Sequence, residues 1–196
     1  MGGRAGSSSR MGSLSGDTTY RGQVRNIESL VNMKDPAMYR AAKVAISNFA
    51  AKLGTPESNV KLADLSGNVM GIGGKDGVYL NKRYFNMSAG DFAATMKRNY
   101  ESGHLTQTNK PLAHVINHEL AHASWQSGDQ SPKAVAAGRE ITRLYERWQK
   151  SGTRGYGKYS RSNVDEFWAE VSTKAAHGRS DSYTRAARDI YRKYNL

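Results

Sequence analysis

Between Lys110 and Trp125 the chain reads Lys-Pro-Leu-Ala-His-Val-Ile-Asn-His-Glu-Leu-Ala-His-Ala-Ser-Trp. Leu112, Val115, Ile116, Leu120 and Ala121 recur at helical spacing. The pattern commits this segment to a helix with buried apolar positions. The same helix carries His114, His118 and His122 at intervals of four, with Glu119 beside them. Residues four apart stand one turn above each other on one face.

That spacing has a chemical consequence. His118 and His122 can aim two imidazole nitrogens at a single ion, with Glu119 within reach of a water on that ion. This is the His-Glu-x-x-His arrangement of zinc peptidases, in which the glutamate serves as general base. His114 cannot join His122 on one ion, because two turns separate them by about 12 Å along the axis. It is read as a packed or hydrogen-bonded histidine. The chain has no cysteine, so any metal must be held by His, Asp or Glu.

A catalytic zinc takes three protein ligands and keeps one position open. No third histidine follows closely, since Ser127-Gly128-Asp129 occupies the stretch where one would fall. The candidates further on are Asp165, Glu166 and Glu170, at the start of a helix capped by Asn163. Glu166 and Glu170 share a face. Acidic residues complement a helix N-terminus, which accounts for Asp165 or Glu166. It does not account for Glu170, a turn further in among Phe167, Trp168, Ala169 and Val171.

The run Tyr159-Ser160-Arg161-Ser162-Asn163-Val164-Asp165-Glu166-Phe167-Trp168-Ala169-Glu170, together with His118 to His122, resembles the anthrax lethal-factor type of zinc metallopeptidase. That type is a gluzincin, with similar domains in phage head-associated proteins and toxins. The resemblance spans about residues 77–175 and is carried by these two blocks. It implies a zincin-like fold, one catalytic Zn2+ and a zinc endopeptidase activity. His118, His122 and Glu166 would be the metal ligands and Glu119 the general base. Glu170 would support a ligand histidine, and Tyr159 would donate its hydroxyl to the oxyanion. It also implies that Gly77-Val78-Tyr79-Leu80-Asn81 is the sheet edge above the active-site helix, open to an extended protein or peptide substrate.

The remaining elements follow from punctuation. Residues 1–22 are rich in Gly and Ser and poor in large apolar groups, so they are expected to form a disordered or linker-like tail. The domain is placed at 23–196. Asp35-Pro36 opens a helix that Gly54 ends. Three short strands are expected at Val60 to Leu65, Asn68 to Ile72 and Gly77 to Phe85. Further helices run from Ser88 to Tyr100, Ser131-Pro132 to Lys150, Asn163 to His177 and Asp181 to Tyr194. The plan is α+β: a small mixed sheet on the central helix, with a helical C-terminal half. Gly71-Ile72-Gly73-Gly74-Lys75 lacks the spacing of a phosphate loop and reads as a hairpin turn. Tyr145 and Trp148 fall at core spacing with Ile141 and Leu144.

The net charge of +12 favours acidic partners, nucleic acid among them. It supports an alternative class, a virion-associated or nucleic-acid-associated structural protein that keeps the fold. A third class is an effector released from a longer chain. No run approaches the roughly 18 apolar residues of a membrane span, and the N-terminus lacks the apolar core of a secretory signal.

Overall fold

A computed structural model describes residues 24–101, 108–152 and 155–196. The expected tail (1–22) and most of the polar loop after Tyr100 lie outside the described residues.

In chain order the elements are β1 (Val24–Ser29), α1 (Pro36–Leu53), β2 (Val60–Leu65), β3 (Gly71–Gly74), β4 (Gly77–Asn81), α2 (Lys82–Phe85), α3 (Ala89–Glu101), α4 (Pro111–Ser124), α5 (Pro132–Ser151), α6 (Val164–Ala176) and α7 (Ser182–Tyr194). Short 3-10 turns cover Leu30–Asn32 and Lys158–Arg161. The architecture is α+β and mostly helical. The single four-stranded sheet has the order β1-β2-β4-β3. It is mixed: β2 and β4 run parallel, while β1 with β2 and β3 with β4 are antiparallel.

Helix boundaries follow local chemistry. The Asp35 carboxylate accepts from the N–H groups of Ala37 and Met38, and Gly54 closes α1 in the left-handed region. Ser131 caps α5, and Asp181 with Thr184 forms a capping box on α7.

The strands needed correction. Gly77 to Phe85 is not one strand, because Asn81 caps a helical turn from Lys82. The second expected strand begins three residues later, at Gly71. β1 was not anticipated. Its sequence, Val-Arg-Asn-Ile-Glu-Ser, has little apolar alternation and is irregular at Asn26, which has φ 48°. Long-range partners hold it instead: Lys82 at the start of α2 bridges Glu28 and Asp64. The edge assignment is also revised. β4 is interior, between β2 and β3, and the edge next to α4 is β3.

The main core gathers around α6, whose residues from Asp165 to Ala176 are all buried. Trp168 stacks on Tyr191 of α7 at 4.9 Å, and Trp148 of α5 stacks on Phe167 at 5.0 Å. Tyr145 packs on the same Phe167. α4 is enclosed by α1, α6 and β3, which buries its histidines along with its apolar stripe. Among the described residues no helix is long and apolar enough to cross a membrane.

Candidate metal centre

Helices α4 and α6 bring two histidines and one glutamate to a point. His118 Nε2 lies 3.1 Å from Glu166 Oε2 and 3.1 Å from His122 Nε2, and His122 Nε2 lies 3.6 Å from Glu166 Oε2. Tetrahedral zinc held at about 2.05 Å sets its donors about 3.3 Å apart. The three separations bracket that value. All three side chains are buried, and together they form a group able to hold a metal ion. The donor set, two imidazoles and a carboxylate, suits zinc and other imidazole-accepting divalent ions.

The position of Glu166 is set twice. Its backbone N–H donates to the Asn163 side chain at 2.9 Å, so the cap that starts α6 also orients the ligand. Next to it, Asp165 accepts from the Ser127 N–H and the Ser127 hydroxyl, each at 2.7 Å. This clamp ties the start of α6 to the turn after α4. Asp165 therefore points away from the metal group, and only Glu166 of the three acidic candidates meets both histidines. Truncating Asp165 leaves two donors with no acceptor in a site where the residue is 4% exposed. Asp165→Ala is expected to cost about 1–3 kcal/mol, read as a melting temperature lowered by about 2–12 °C. An unchanged melting temperature would remove the clamp from the account.

Glu170 stands behind the candidate ligands. Its Oε1 is 3.3 Å from His118 Nδ1 and 3.2 Å from His114 Nε2. It fixes the His118 ring from the side opposite the metal group, as carboxylates commonly do for metal-bound histidines. His114 is thus a hydrogen-bonded histidine on Glu170. Among the described residues no carboxylate stands at that distance from His122 Nδ1, which is buried.

The charges favour a cation at this point. Burial opposes charge on His118, yet Glu166 and Glu170 overcome it and lift its pKa to about 10. Burial likewise pushes Glu166 upward, and the two histidines hold it down to about 2. Glu170 is held well below the usual carboxylate range against its own burial, chiefly by His114 and then His118. Two carboxylates thus flank the His118 imidazole, a negative surround that suits a divalent ion.

Glu119, next to His118, packs against β3. It is fully buried, and burial raises its pKa against the opposing influence of His118, His122 and the Gly73 N–H. The strand lies so close that a side chain would not fit. A Cβ at Gly71 would fall 2.6 Å from Glu119 Cγ, and one at Gly73 only 1.9 Å from the Glu119 carbonyl oxygen. Gly71 and Gly73 are alternate residues, so they share one face of the strand. Their spacing was the available signal for a close backbone approach, and reading them only as turn residues missed it. Beyond α4, Gln126 Nε2 donates to the Gly73 carbonyl at 2.9 Å and anchors the strand a second time.

Tyr159 sits in the 3-10 turn before α6, half-buried, with its ring 6.1 Å from that of His118. Lys174, which drew no attention in the sequence, holds this loop in place. Its ammonium donates to the Gly155 carbonyl and lies 3.7 Å from the Tyr156 ring centre. Burial lowers its pKa to about 8.

Comparison with family models, curated proteins and solved structures finds no match to this chain.

Proposed function

We propose that this protein is a zinc-dependent endopeptidase with a zincin-like fold of gluzincin type. The observation that carries the reading is the convergence of His118 Nε2, His122 Nε2 and Glu166 Oε2, with the buried Glu119 carboxylate one residue from the first ligand. The order of roles along the chain also agrees with the lethal-factor-like pattern of the two sequence blocks.

A zinc ion held by His118, His122 and Glu166 would supply Lewis acidity and lower the pKa of water towards ~7. The chain's own residues supply the rest. Glu119 accepts the proton of the attacking water at its carboxylate and passes it to the leaving amine nitrogen. The close cover of β3 keeps bulk water from it. Glu170 holds His118 in one ring orientation through Nδ1. Tyr159, beside His118, donates its hydroxyl to the developing oxyanion.

The first test is metal content. Wild-type protein is expected to retain about one equivalent of zinc. Glu166→Ala should weaken retention by more than the 10–100-fold typical of lost supporting contacts, and Glu170→Gln by an amount within that range. Zinc content unchanged in Glu166→Ala would overturn the third-ligand assignment.

A further inference from the structure

A cavity of about 560 Å³ opens on the side of α4 away from β3. Asn117, in its wall, lies about 200° around the helix from Glu119. The cavity is therefore distinct from the metal centre and its covering strand. α1, α3, α4 and the end of α6 enclose it. Its volume is within the usual range for small-molecule sites.

The walls are mainly aliphatic. Met38, Ala41, Ala45 and Leu112 line it, with the Phe92 ring beside them. Val44 at its edge is 58% exposed, a large apolar side chain left to water. The charge is one-sided. Lys110 and Arg40 line the cavity, and no described lining residue is acidic. Lys110 is close enough to His177 to push its pKa down further, after burial and His114, to about 4. The imidazole is thus neutral near pH 7, and its Nε2 is buried without a protein partner. A neutral imidazole carries one N–H, and either nitrogen can hold it.

We propose that this cavity binds a single-chain aliphatic carboxylate. The chain lies against Met38, Ala45 and Leu112, and the carboxylate accepts from the Lys110 ammonium, with the Arg40 guanidinium in the same wall. The ligand supplies a negative charge beside Lys110 and Arg40 and an apolar body to cover Val44. The assignment is independent of the metal centre.

The test is calorimetric titration of the full chain with sodium decanoate. Wild-type protein is expected to bind one equivalent, saturating below about 1 mM. Lys110→Glu lies on the surface and should weaken binding at least about tenfold, as loss of one charge-assisted hydrogen bond does. Ala41→Trp, which fills the cavity from an exposed position, should abolish binding. 1-Decanol, with the same chain and no charge, should bind at least about tenfold more weakly than decanoate. Absence of saturable binding to wild-type protein overturns the proposal. So does equal affinity for decanol, or for the Lys110→Glu variant, since the site would not then read an anion. Binding that survives Ala41→Trp would place decanoate elsewhere and overturn it equally.

Discussion

Replacing Glu119 by Gln is expected to lower kcat/KM for peptide hydrolysis by about 10²–10⁴-fold while zinc stays bound at one equivalent. Two features make the outcome specific. Gln matches Glu in size, so the close packing of Glu119 under Gly71 and Gly73 is preserved. Gln has no basic oxygen at working pH, so it cannot accept and return a proton, and that transfer is the contribution being removed. Glu119 is not among the three converging donors, so the ligand set is untouched. Neutralising a buried carboxyl whose pKa burial already raises should not reduce stability, and the melting temperature should match or exceed wild type. The assay is casein cleavage followed by mass spectrometry, beside metal analysis of the same sample. Stoichiometric zinc with undiminished cleavage would eliminate Glu119 as the base. Loss of zinc together with cleavage would instead give Glu119 a role in holding the site.

Much of this arrangement was legible in the sequence because it depends on local spacing. The i, i+4 placement of His118 and His122, and of Glu166 and Glu170, follows from helix geometry once each helix is recognised. Asn163 gives α6 a clear start, and the apolar spacing from Leu112 to Ala121 marks α4. The choice among Asp165, Glu166 and Glu170 was not settled by spacing, since all three sit within two turns. It depends on where α6 lies against α4, and that is fixed by the Ser127 clamp and the Asn163 cap acting together. The strands were less legible. β1 has a polar sequence and takes its place from Lys82, more than fifty residues away. β3 is mostly glycine, so hydrophobic alternation had little to report. That same lack of side chains is what lets it reach the helix.

The glycine strand therefore makes the strongest structural prediction. Gly73→Ala would set a methyl 1.9 Å from the Glu119 carbonyl oxygen, 2.8 Å from its carbon and 3.0 Å from His122 Cβ. The first two neighbours are backbone atoms of α4, which cannot turn aside as a flexible side chain does. Relief requires β3 and the helix to separate. Overpacking in a tight core costs about 1–3 kcal/mol, occasionally more, and a clash of backbone against strand belongs at the upper end. A loss of about 3 kcal/mol lowers the melting temperature by about 6–12 °C at this chain length. The zinc-free protein should lose as much, because the clash does not involve the ion. Separation also moves Glu119 and His122, so activity and zinc retention should fall together, unlike the Glu119→Gln result. Gly128→Ala is the control: a Cβ there meets nothing within 4 Å, and the change should stay within about 0.5 kcal/mol. A Gly73→Ala protein that melts with wild type and keeps its zinc would mean that β3 does not lie against the helix, and Glu119 would lose the cover on which its role as a shielded base depends.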